Sequence, residues 1–230
     1  MPLPKLNVPV YETILPSTDK VIKFRPFLVK EEKILLTASE DGSQKTMMNA
    51  VKNIIKNCVQ EEIDVEKLPM FDIEFLFLKL RAKSVGEEIE LTMNCMKEDC
   101  KGQSTLSLNV DEIDVTKHED HNRKIMLTDD IGIMMSYPVM NTDGVTDEDG
   151  IKIVKSCIEM IFTNEETHEK DSFSEKELDD FVDSMDSSQF NKIKQFFDTM
   201  PKLEHEVEYQ CNVCGMENKI NLQGLDSFFG

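Results

Sequence analysis

The sequence is short of positive charge. It sets 26 Lys and Arg against 45 Asp and Glu in 230 residues, for a formal net charge of −19. A polyanion of this size repels nucleic-acid phosphates and anionic lipid heads, which argues against sequence-independent binding to either. Long apolar runs are missing too: nothing approaches the ~18 consecutive apolar residues of a membrane span. The start, Met1-Pro2-Leu3-Pro4-Lys5-Leu6, lacks the charged-then-apolar layout of a secretory signal. A soluble protein is expected, with neither nucleic acid nor membrane as partner. Glycine is scarce, nine in all, leaving little scope for a phosphate-cradling loop. No G-x-S-x-G or H-E-x-x-H occurs. Acidic residues are so numerous that no pair of them singles itself out as general acid and base. No catalytic residue is expected, and the chain reads as a non-enzyme.

What is present can build a core. Hydrophobic residues make up 40% of the chain, too many for a disordered acidic tail, and the length suits one large domain or two small ones. Tyr11–Leu15 and Lys20–Phe24 read as strands around a Pro16-Ser17-Thr18-Asp19 turn. Glu31–Ser39 is helix-like, and Met47, Val51, Ile54 and Cys58 recur at helical spacing. Pro69 opens a helix in which Phe71, Phe75, Leu78 and Ala82 form one stripe while Ile73, Leu76, Phe77 and Leu80 fill most of the remainder. A helix apolar on most sides belongs at the centre of a core.

From Glu88 the period becomes two. Ile89, Leu91 and Met93 alternate with polar residues, as do Leu106, Leu108 and Val110, which predicts a hairpin. Lys124–Leu127 and Ile131–Tyr137 suggest another strand pair. The acidic stretch Asn141–Gly150 fails as an EF-hand, because Val145 and Ser156 would fall at its terminal ligand positions. It reads as a solvated loop before a helix with the stripe Ile151, Val154, Ile158 and Ile161. Ser174-x-x-Glu177 and Asp186-x-x-Gln189 are capping boxes opening two more helices. Their stripes are Leu178, Phe181, Val182, Met185 and Phe190, Ile193, Phe197, Met200, with Pro201 as the stop. Val207, Tyr209 and Cys211, then Ile220 and Leu222, alternate again. The terminal Phe228-Phe229 needs a covering surface, in this fold or on another subunit.

Six cysteines, at 58, 95, 100, 157, 211 and 214, together with the missing signal, point to a reducing cytosol rather than a disulfide scaffold. Cys58 and Cys157 lie in helical patterns as small buried hydrophobes. Cys95-x₄-Cys100 and Cys211-x₂-Cys214 each sit between alternating segments, as zinc knuckles sit at hairpin tips. Four thiolates match the tetrahedral preference of Zn²⁺. Gly215 permits the tight positive-φ turn such a knuckle needs. Cys95, Cys100, Cys211 and Cys214 are therefore the candidate ligands of one structural zinc, with unmetallated thiols and a redox C-x-x-C as the competing readings. Four protein ligands leave no open position for catalysis. His118, His121, His168 and His205 all fall in polar surroundings; His118-x-x-His121 reads as solvated loop residues rather than as ligands.

Several strings resemble a known family. Met1-Pro2-Leu3-Pro4-Lys5, the stretch Ile22 through Arg25-Pro26-Phe27 to Lys33, Ile54–Cys58, Leu68–Asp72, Leu80–Gly86, Met200–His205 and the Cys211–Cys214 segment resemble the baseplate hub subunit of T-even-type contractile-tailed phages, above all the longer cyanophage forms. The resemblance spans nearly the whole chain. It implies a bacteriophage tail protein, either a hub subunit or a hub-assembly chaperone, that acts through contacts with other phage baseplate hub proteins. It places the protein in the host cytoplasm during assembly or in the virion baseplate. It implies no enzymatic activity and supplies no site residues. The competing reading of the residues is a zinc-ribbon adaptor in a host-directed or transcription process, and a hydrolase using His118 or His121 is a third.

The expected fold class is α+β: a helical part combined with small antiparallel β-hairpins carrying a zinc-ribbon-like four-cysteine site. Residues 1–29, 86–140 and 203–230 would form the β-rich part. Residues 30–85 and 141–202 would form the helical part, as separate domains or as one integrated domain.

Overall fold

A computed structural model describes residues 6–139 and 150–229. The chain is α+β, with helices and small antiparallel sheets. It divides into two compact units, residues 1–116 with 202–230, and residues 117–201. The expected boundaries grouped residues by secondary-structure type, whereas packing groups them by core. The helices within 30–85 fall in one unit with the cysteine hairpins, and the strands between 124 and 169 fall with the helices of 150–199. The stretch 141–149, where the acidic loop was expected, lies outside the described residues.

In the first unit, β1 (Tyr11–Ile14) and β2 (Val21–Phe24) form the expected hairpin, pairing Tyr11 with Phe24 and Ile14 with Val21. Helices α1 (Val29–Asp41) and α2 (Gln44–Cys58) follow, α1 ending on Gly42 at φ +66, a left-handed cap that glycine adopts without steric cost. Helix α3 (Met70–Val85) is buried on most sides, as its composition requires: Phe71, Ile73, Phe75, Leu76, Phe77, Leu78, Leu80 and Ala82 are all inside.

Two buried carboxylates tie this unit together. Asp72, 0% exposed in the first turn of α3, accepts the backbone N–H of Ser17 at 3.1 Å and also its hydroxyl, anchoring the β1–β2 turn. Glu31, 1% exposed, accepts from Arg25 Nη2 at 2.9 Å and from the Leu28 N–H at 2.9 Å. Burial alone would raise the Glu31 carboxyl, but the hydrogen bonds from Arg25, Leu28 and Lys30 outweigh it and hold the group below its ordinary value. Arg25 also donates to the Asn57 carbonyl at 3.1 Å, so the Arg25-Pro26-Phe27 string is the joint between the first hairpin, α1 and the end of α2.

Strands β3 (Glu88–Asn94) and β4 (Gln103–Asn109) pair from Glu88–Asn109 to Asn94–Gln103. A short strand β5 (Val115–Thr116) ends the first segment of the unit. In the second unit, β6 (Lys124–Met126), β7 (Gly132–Met135), β8 (Ile158–Phe162) and β9 (Thr167–Glu169) form one antiparallel sheet in chain order. Helices α4 (Gly150–Cys157), α5 (Glu175–Asp183) and α6 (Ser187–Thr199) complete it. Its core joins Ile125, Ile133, Met135, Val154, Ile158, Leu178, Val182, Ile193 and Phe196. Both capping boxes form as expected, Ser174 with Glu177 and Asp186 with Gln189.

Two expectations are corrected here. The helical stripe Ile151–Ile161 breaks after Cys157, and Ile158 and Ile161 belong to β8. Pairing with β7 captures the β-branched run, overriding its helical spacing, and Ile151 is left 55% exposed. In α6 the buried ring is Phe196, with Phe197 only partly covered.

The chain returns to the first unit through β10 (Lys202–Gln210), which pairs with β11 (Glu217–Gln223) on one side and with β5 on the other. The closing helix α7 (Asp226–Phe229) follows. Phe228 is buried within this fold. Among the described residues, no helix is long and apolar enough to cross a membrane.

Candidate metal centre

The four candidate ligands come together at the ends of two hairpins. Cys95 follows the last residue of β3, and Cys100 closes the turn that leads into β4. Cys211 follows the last residue of β10, and Cys214 lies in the turn before β11. Each turn is fixed by backbone hydrogen bonds. In the first, Cys95 N–H donates to Gly102 O at 2.9 Å and Cys100 N–H to Lys97 O at 2.9 Å. In the second, Cys211 N–H donates to Met216 O at 2.8 Å and Gly215 N–H to Cys211 O at 2.9 Å. Gly215 adopts φ +70, the positive value its place after the last thiol requires.

Side chains then clamp one hairpin to the other. Met96 N–H donates to the buried Asn218 Oδ1 at 2.9 Å, and Asn218 Nδ2 donates to Met216 O at 2.9 Å. Tyr209 Oη–H donates to Asn94 O at 2.5 Å, and Ser104 Oγ–H to Gln210 O at 3.1 Å. Gly102 permits the close approach. A Cβ there would sit 2.6 Å from Cys211 Sγ and 3.0 Å from Val213. Spacing in the sequence marks Tyr209 as a strand residue but singles out neither Gly102 nor Asn218 and Ser104. The signal for Gly102 was its position two residues after the second thiol of its pair, the counterpart of Gly215 one residue after Cys214.

The thiols meet across the hairpins. Cys95 Sγ lies 3.6 Å from Cys214 Sγ, and Cys100 Sγ lies 3.7 Å from Cys211 Sγ. All four lie within 4.8 Å of one another, and none is disulfide-bonded. A tetrahedron with metal–sulfur bonds of about 2.3 Å has edges of about 3.8 Å, so the spacing fits a single tetrahedral ion. Among the described residues this is the one group of three or more His, Cys, Asp or Glu side chains placed to hold a metal.

The electrostatics favour a cation as well. Backbone N–H groups of Cys214 and Val213 point at Cys211 and bring its thiol down to about 6. The Lys97 N–H favours the Cys95 thiolate, but desolvation and the neighbouring thiols outweigh it and push that thiol up to about 12. Cys100 is raised for the same reason, against the Gly102 N–H. Four thiolates at these distances repel one another, and a divalent ion among them removes the conflict.

The remaining candidates lie elsewhere. Cys58 and Cys157 are buried, as expected, and burial pushes the Cys58 thiol up to about 11. His118 is exposed, but His121 is not the solvated loop residue its surroundings suggested. Its Nδ1 is 3.0 Å from Thr199 Oγ1 and its Nε2 is 3.1 Å from Tyr137 Oη, and its ring packs on Tyr137 and Phe196. Thr199 gives its own hydroxyl proton to Gln195 O at 2.8 Å, so its oxygen accepts from His121 Nδ1–H. Nε2 is then free to accept from Tyr137. His121 is a structural pin of the second unit.

The described residues thus form an α+β chain in which two small hairpins close on four thiols. The chain belongs to the family described as T4 bacteriophage base plate protein, whose model matches residues 8–230. It is 29% identical over 210 residues to the baseplate hub assembly protein gp26 of Enterobacteria phage T4, covering 91% of this chain and 93% of that protein. No solved structure gives a significant match.

Proposed function

We propose that this chain is a non-enzymatic baseplate hub protein, a hub subunit or hub-assembly chaperone, that works through contacts with other phage baseplate hub proteins while the tail is built in the host cytoplasm. The observation that carries this reading is similarity along almost the full length of the chain to a baseplate hub assembly protein. The −19 charge supports it, since an acidic protein suits a basic or aggregation-prone hub surface and binds it with strong salt dependence. The zinc-ribbon adaptor reading has no comparable support. Co-expression of the tagged chain with the hub proteins of its phage tests the proposal. A complex recovered at low salt and weakened at high salt is expected; a solitary monomer in every combination rejects it.

Cys95, Cys100, Cys211 and Cys214 hold one structural Zn²⁺ in this reading, and the two hairpins form a zinc-ribbon-like module. The donor set favours it, as four thiolates saturate zinc and suit soft metals. Elemental analysis of protein purified without chelator should find about one zinc per chain. No metal, with all four thiols freely reactive, rejects the site.

A further inference from the structure

The arrangement of the thiols carries a second consequence. Both short sulfur contacts, Cys95–Cys214 at 3.6 Å and Cys100–Cys211 at 3.7 Å, join one hairpin to the other. Closing either to the roughly 2.05 Å of a disulfide asks the sulfurs to approach by a small side-chain movement. The backbone around them is already held by the Asn218, Tyr209 and Ser104 clamps, and the Gly102 backbone lies against Cys211 and Val213.

We propose that the four-cysteine centre is also a modification site: on oxidation it forms two disulfides, Cys95–Cys214 and Cys100–Cys211, which lock the hairpin pair covalently in place of the metal. This deepens the zinc reading, because it names how that same site responds to oxidants. The chemistry balances with a low-molecular-weight disulfide such as oxidised glutathione. One thiolate attacks it and releases one glutathione thiolate. The facing thiolate then displaces the second, leaving a protein disulfide. Two such events consume two oxidised glutathiones, release four reduced ones, and free one divalent ion. Linkage within a knuckle, Cys95–Cys100 or Cys211–Cys214, would instead staple each turn to itself and leave the hairpins to separate once the metal is gone. A baseplate component that leaves the cell with its particle exchanges a reducing for an oxidising medium, and the cross-hairpin pairs preserve the same fold on both sides.

The test uses the full-length protein as purified. Metal content is measured first. Oxidised glutathione is then added in excess while a colorimetric zinc indicator follows release, and disulfides are mapped by mass spectrometry of non-reduced peptides. The expected result is one zinc released per two disulfides, with Cys95–Cys214 and Cys100–Cys211 dominant and the circular dichroism unchanged. Dominant knuckle-internal linkages, intermolecular disulfides, or no disulfide at all would overturn the proposal. Zinc present with knuckle-internal linkages defeats this inference and leaves the metal reading standing. Cross-hairpin linkages in protein that never held metal do the reverse. The Cys95→Ser/Cys214→Ser double variant, if folded, should still form Cys100–Cys211, and free thiols at 100 and 211 after the same treatment count against it.

Discussion

The two units solve the problem of a small core in different ways. Residues 117–201 bury a continuous cluster running from Ile125 through Ile158 to Phe196, with strands and helices contributing together. The first unit has its own centre in α3, but its β3–β4 and β10–β11 hairpins bury few side chains: Ile89, Ser104, Leu203, Tyr209, Asn218 and Leu222. Hairpins this thin are marginal on hydrophobic burial alone. Thiols and a handful of cross-hairpin hydrogen bonds stand where the second unit has apolar contact. Charge differs as well. The second unit holds 20 of the 45 acidic side chains and only 9 of the 26 basic ones, so the acidity is concentrated in the unit without the cysteine site.

If the four cysteines hold the proposed zinc, removing it should separate the units most sharply. Chelation, or Cys95→Ser or Cys214→Ser, should lower the stability of the first unit by roughly 5 kcal/mol or more, because structural zinc binding is folding energy on the order of 10 kcal/mol in small fingers. Calorimetry should then show one transition moving and the transition of residues 117–201 unchanged; equal shifts of both would erase the distinction. Next in size come two matched substitutions. Glu31→Gln leaves Arg25 beside a neutral partner in a site where Glu31 is 1% exposed, and about 3 kcal/mol should be lost from the first unit. Ile193→Ala, at a fully buried position, should cost the second unit about 3 kcal/mol. Chemical denaturation followed by hydrogen exchange in each unit tells whether the losses stay local.

Smaller effects sharpen the picture further. Ser174→Ala removes one half of a formed capping box and should cost about 1 kcal/mol, read as faster exchange in α5 alone. His121 supplies a pH signature. Burial, then the nearby charges of His118 and Arg123, lower it below the ordinary histidine value. The unfolded chain therefore binds more protons than the folded one in the window below about 6.5. The stability it contributes is complete above that value and is lost as pH falls through the folded value. The melting temperature of the second unit should fall across this window, and His121→Phe should flatten the dependence. An unchanged slope would remove His121 as its source.

Much of this architecture is legible in sequence where one local signal acts alone. The two-residue period gave both cysteine hairpins, the capping boxes gave the starts of α5 and α6, and the all-round apolar pattern placed α3 at a centre. The reading failed where tertiary pairing competed with periodicity. Ile158 and Ile161 fit a helical stripe, but the β7 edge was available and took them. His121 sat among charged residues and looked solvated; its partners Tyr137, Phe196 and Thr199 lie 16 to 78 positions away, and no local pattern announces them. The grouping of the four cysteines was visible from spacing, while Asn218, Ser104 and Gly102 were not, since their roles arise only when one hairpin meets the other.

One modest pairing bears on all of this. Thr116 faces Lys202 and Val115 faces Leu203 across two adjacent strands, so the chain departs for 85 residues and comes back beside the point it left. To the polymer, the loop that the thiols must close is not the 110 residues between the knuckles but the short path along the folded strands. Loop entropy grows only with the logarithm of length, and here even that cost has been met by other contacts. The intervening unit can therefore vary in size or composition with little effect on how strongly the four sulfurs are gathered.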